Sequence, residues 1–128
     1  MIKEYTKEQK SEYFKNLRER WAQNKLAADQ DLDARKRFEA IESEAGKISY
    51  YSFYFTLQDM IRNKFEGNPY VDTKTYQGWK QSGFKVKKGE KSKIDGITWM
   101  DIGKENEDKI LVPKIYHLFH KTQVEPIQ

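Results

Sequence analysis

A chain of 128 residues, with 37% hydrophobic and 34% charged side chains, is long enough to bury one core. No segment approaches the roughly 20 consecutive apolar residues of a membrane span, and the opening MIKEYTKEQK lacks the apolar run of a secretory signal, so a cytoplasmic protein with no membrane partner is expected. Cysteine is absent, which excludes disulfides, thiolate metal sites and a cysteine nucleophile.

Residues 6–45 contain no Gly or Pro and carry interspersed charges of both signs that cancel. Thr6 followed by Gln9 has the form of a capping box. Phe14, Leu17 and Trp21 then share a helical face, as do Phe38 and Ile41. The apolar spacing weakens between Asn24 and Asp33, where Asp29 or Asp31 is placed to cap a second helix, and Gly46 stands where that helix should end. Residues 1–45 are therefore expected as a helical extension of two helices, or one broken helix. Its narrow stripe would dock on the domain behind it or on a second copy.

Residues 46–128 are expected to form an α+β domain in which a helix packs on a small antiparallel sheet carrying a basic hairpin. Ser49 or Ser52 can cap a helix through 48–65 with Phe53, Leu57, Met60 and Ile61 inward, although its β-branched and aromatic start also fits a strand. Gly67-Asn68-Pro69 stops it. A short helix is expected from Thr73 to Ser82, ended by Gly83. Phe84 to Lys87 alternates apolar and basic as a half-buried strand does. Lys88-Gly89-Glu90-Lys91 is a turn, and Ile94 to Met100 the returning strand, interrupted at Asp95-Gly96. A polar loop over 101–109 leads to strands at Ile110–Val112 and Ile115–Phe119, with Pro113 at an edge or bulge.

The net charge of +4 resides wholly in this second part. Residues 74–93 carry seven lysines (74, 80, 85, 87, 88, 91 and 93) against one acid, Glu90. With Phe84 and Val86 facing the core, Lys85 and Lys87 project together from the other face, and Lys88 and Lys91 flank the turn. Such a row meets a phosphate backbone through counterion release, without base specificity; lysines on an exposed strand also discourage edge-to-edge aggregation. Tyr76, Trp79 and Trp99 are interleaved with the lysines, and Tyr51 lies on the preceding helix. Aromatics beside a basic groove hold single strands by stacking, although Trp79 and Phe84 read first as core residues. His117 and His120, three apart on a strand, point to opposite faces. No HExxH, phosphate loop or carboxylate–histidine cluster is present, so neither an enzyme nor a cofactor or metal is expected.

The order Trp79, Gly83, Val86, Lys88-Gly89-Glu90-Lys91 and Ile94, preceded by Ser52 and Gln58 and followed by Phe119-His120-Lys121-Thr122-Gln123-Val124, resembles the N-terminal domain of ArdC-type antirestriction proteins. That module also stands at the front of plasmid- and phage-encoded primases. The resemblance covers about 80 residues and implies an α+β domain that binds single-stranded DNA with little sequence preference. Relatives place a catalytic domain after it. This chain stops just past Val124, so the resemblance implies the binding module alone. Two departures stand out: Tyr54 and Phe55 occupy the neighbourhood of a family Asn, and Lys93, Asp95 and Gly96 replace apolar residues of the returning strand.

The expected function is thus non-catalytic binding of single-stranded DNA by a mobile-element protein, in DNA protection or anti-restriction. Lys80, Lys85, Lys87, Lys88, Lys91 and Lys93 would meet phosphates. Tyr51, Tyr76, Trp79 and Trp99 would stack or shape the groove, with Gln58 and Gln123 as polar contacts or internal braces. The alternative is an anti-defence inhibitor that contacts a host nuclease or other immune protein directly. A homodimer through the N-terminal helices is a further candidate.

Overall fold

The computed structural model describes residues 7–103 and 111–128. Thr6, Ile110 and positions 104–109 of the expected loop lie outside the described residues. Helix α1 (Lys7–Gln30) gives way to α2 (Leu32–Ala45) at Asp31, whose carboxylate accepts the Ala34 N–H at 3.0 Å; Gly46, at φ 83°, follows α2. Helix α3 (Tyr50–Arg62) starts at Ser49, whose hydroxyl accepts the Ser52 N–H at 3.1 Å. Among the described residues no helix is long and apolar enough to cross a membrane.

The tyrosine-rich start of α3 holds the α1–α2 corner. Tyr50 directs its hydroxyl at the carbonyls of Ala28 (2.7 Å) and Asp31 (3.1 Å), and Tyr54 reaches the Asp31 carboxylate at 3.3 Å. Burial, reinforced by the Asp31 charge, raises both phenols above their ordinary pKa. Ala28, Ala34, Phe38 and Ile41 pack there against Tyr50, Phe53, Tyr54 and Leu57. A second cluster joins Leu17 of α1 to Phe55 and Ile97, flanked by Trp21 and Ile115. The apolar stripe of the N-terminal helices is therefore buried against residues 46–128. Tyr54 and Phe55 are among the residues it packs on. Ile61, expected inward, is 57% exposed: at the last turn of α3 the core-facing positions are taken by Leu57 and Met60.

Strand β1 (Thr73–Lys74) precedes α4 (Tyr76–Gln81), so the expected helix loses its first turn to the sheet; Thr75 caps it by accepting the Gly78 N–H at 3.0 Å. Strands β2 (Phe84–Val86), β3 (Ile94–Asp101), β4 (Leu111–His120) and β5 (Val124–Pro126) complete the architecture. The α+β class stands, with β1, β4 and β3 forming an antiparallel sheet in that order, beneath α3. Met60, Ile94 and Leu118 are buried between helix and sheet.

The expected basic hairpin is not formed. Strand β2 pairs antiparallel with β5, setting Phe84 against Pro126, Lys85 against Glu125 and Val86 against Val124. A hairpin would have laid a lysine-bearing strand along a segment holding Lys91 and Lys93, whereas β5 offers an opposite charge across the ladder. The expected breaks in the longer strands are absent as well. Gly96 lies in register with Tyr116, and a Cβ there would come under 3.0 Å from that ring, so the glycine admits the aromatic instead of interrupting the strand. Pro113 sits opposite Trp99 within a continuous β4, on the open edge expected for it, where β1 does not reach and no N–H is needed.

Candidate nucleic-acid interface

Two stretches far apart in sequence meet around β2. Trp79 Nε1 donates to the Phe119 carbonyl at 2.8 Å, its ring lies edge-on to Phe84, and the side chain is 6% exposed. The Lys87 N–H donates to the Gln123 carbonyl at 2.9 Å. The Gln123 side chain, in a residue 2% exposed, makes three further bonds: Oε1 accepts the His120 N–H at 3.0 Å, while Nε2 donates to Glu90 Oε2 at 3.1 Å and to the Lys91 carbonyl at 2.9 Å. The segment joining β2 to β3 is thus held at Glu90 and Lys91 by a residue from beyond β4. His120 is equally fixed. Its Nε2 lies 2.6 Å from the Glu66 carbonyl and its Nδ1 2.9 Å from the Thr122 hydroxyl. Phe65 stacks on the ring at 4.7 Å.

On this frame Lys80, Lys85, Lys87, Lys88, Lys91 and Lys93 are all exposed. Two of them have partners. Lys85 Nζ lies 3.8 Å from the Glu125 carboxylate, and Lys87 Nζ donates to the Thr122 carbonyl at 3.0 Å. Gly89, at φ 86°, lets the chain turn between Lys88 and Glu90, and the Glu90 N–H closes onto the Lys87 carbonyl at 3.1 Å. Tyr76, 52% exposed, stands one helical turn before Lys80 on the same face of α4.

The other sequence candidates are not part of this exposed lysine surface. Trp79 and Gln123 are buried and act as braces. Tyr51 donates to the Asp29 carboxylate at 2.7 Å, under the Lys25 ammonium. Trp99 packs edge-on against Trp21, with ring centres 5.7 Å apart, and borders a groove with Lys47, Ser49, Ser52, Tyr70 and Tyr116. In that groove the Tyr70 and Tyr116 hydroxyls are 2.6 Å apart, and burial, with Tyr70 beside it, raises the Tyr116 phenol far above its ordinary value. Gln58 borders a different groove, with Arg20, Gln23, Asn24 and Arg62. These α1 residues escaped the sequence reading because a solvated helical face and one half of a groove have the same local composition.

A second anchor fixes the α3–β1 connection. Burial by itself would raise the Asp72 pKa, but the Asn68 N–H at 2.7 Å, the Lys121 ammonium at 3.2 Å and nearby His120 hold it below the ordinary carboxylate value. Among the described residues no three His, Cys, Asp or Glu side chains gather as metal ligands. No protein-family model, curated protein or solved structure matches this chain.

Proposed function

We propose that the protein binds single-stranded DNA without catalysis, and that it belongs to a mobile element whose DNA it shields from host defence. The observation that carries this reading is the convergence of Trp79, Lys87, Glu90 and Lys91 with Phe119, Gln123 and Val124 on one rigid frame. These residues carry the resemblance to the ArdC N-terminal domain, and the frame presents to solvent six lysines, with Glu90 and Glu125 among them. Lys88, Lys91 and Lys93 would meet successive phosphates, with Lys80 and Tyr76 of α4 beside them, the tyrosine offering its face to a base. Bound protein would then deny a nuclease access to the strand.

Fluorescence anisotropy with a labelled 20-mer, titrated at several salt concentrations, tests the proposal. Binding should weaken linearly in log–log form with salt, and single-stranded DNA should outcompete duplex and RNA. Replacing Lys88 and Lys91 by Ala should lower the slope by about 0.7 for each lysine that meets a phosphate. No binding at low salt, or binding indifferent to salt, would overturn the reading.

A further inference from the structure

We propose that the groove between α1 and α3 receives one nucleobase of the strand whose phosphates meet the lysine segment, an inference that rests on the single-strand reading above. Arg20, Gln23 and Asn24 from α1 face Gln58 and Arg62 from α3 across a space of about 210 Å³. That is smaller than the roughly 300–1,000 Å³ clefts that take drug-sized ligands, and it suits one planar fragment.

The groove is polar yet electrically balanced. Arg20 and Arg62 both reach the Asp59 carboxylate, which also accepts the Asp95 N–H at 2.8 Å, and Arg20 lies 3.8 Å from the Asp95 carboxylate as well. With two carboxylates beside two guanidinium groups, the pocket offers little net attraction to phosphate. What remains is hydrogen-bonding capacity. The side chains of Gln23 and Gln58 make no hydrogen bond to any described residue, so each presents an amide donor and an acceptor. Asn24 spends its NH₂ on the Tyr51 carbonyl at 3.0 Å and keeps its own carbonyl. Arg20 rests on the Phe55 ring at 4.2 Å, held there as a planar surface. Unstacked bases are recognised in this manner, by amide contacts to their edges and by guanidinium planes beneath them.

Position links the groove to the lysines. Arg62 lines the groove, and its neighbour Asn63 donates from its amide to the Lys93 carbonyl at 3.1 Å. The lysine segment is thereby tied at Lys93 to the end of the helix that lines the groove, and a strand bound at Lys91 and Lys93 would need to extend from there to place a base in it.

The test compares a labelled oligothymidine 20-mer with an abasic strand of equal length, which has the phosphates without the bases. Wild-type protein should bind the base-bearing strand at least tenfold more tightly. The double variant Gln23→Leu, Gln58→Leu should cut that preference at least threefold with the salt slope unchanged, and Arg62→Ala, at a side chain 62% exposed, should cut it too. Equal wild-type affinity for both strands, or variants that keep the full preference, overturns the nucleobase site while the phosphate reading stands. Failure of wild type to bind either strand overturns both.

Discussion

Replacing Gln123 by Leu keeps the volume of a buried side chain and removes its hydrogen bonding. Three bonds of 2.9–3.1 Å disappear. Each contributes about 0.5–1.5 kcal/mol net, and the His120 N–H, left without its acceptor in a buried setting, adds about 1–3 kcal/mol. Leucine returns part of this through apolar burial, leaving an expected loss of about 2–4 kcal/mol, a large share of the roughly 5–15 kcal/mol that holds a domain together. Urea denaturation monitored by tryptophan fluorescence measures it as a lower midpoint at constant slope. Hydrogen exchange should show where the loss falls, with the amides of residues 88–93 gaining exchange before those of α3. A loss below about 1 kcal/mol, or one spread evenly over the chain, would refute the assignment of Gln123 as the brace of the lysine segment.

Gly96→Ala should cost about 1–3 kcal/mol, because the new methyl meets the Tyr116 ring and forces it off its hydrogen bond to Tyr70; thermal unfolding reports the change. Asp72→Asn should lower stability by about 1–2 kcal/mol at neutral pH. Because the folded-state pKa is depressed, that contribution is present above the unfolded value of about 3.9 and is lost as pH falls through the lower folded value. Urea midpoints of wild type and variant should therefore converge on acidification below about pH 4, and a constant gap would contradict the ion-pair account. Glu125→Gln removes the acid facing Lys85 and should tighten oligonucleotide binding about threefold at low salt, an effect that fades as salt screens it.

Much of the fold was legible because its punctuation is local. Asp31, Ser49, Gly46 and Gly83 sit at element ends by virtue of their own side chains or backbone freedom, and the α+β class followed from them. The partner of β2 was not legible: three residues carry too little pattern to choose a neighbour, and Glu125 and Val124, which decide it, lie some 40 residues away. Gly96 read as a break because the ring that needs the space arrives from another strand. The two glutamines show the limit most directly. Gln123 is consumed by internal bonds and Gln58 lines a groove, and the difference lies in what folds beside each. For the site, the lysines were legible as charge, while Arg20 and Arg62 become neighbours only through the packing of α1 on α3.

The ribbon between β2 and β5 also sets an order of assembly. The turns inside each helix and the β3–β4 ladder join residues closer in the chain than Phe84 and Pro126, whereas the β1–β4 pairing and the docking of Leu17 on Ile97 span still longer separations. Distant pairings carry the larger loop-closure entropy and form late. The lysine segment is then among the last pieces to be fixed, so binding competence should lag helix formation during refolding. Stopped-flow circular dichroism set against oligonucleotide anisotropy would resolve two phases, and a single shared phase would contradict this order. On the proposed reading the charged surface serves as a mark of completion: until the closing strand is seated, the chain has its helices without the lysine surface in place.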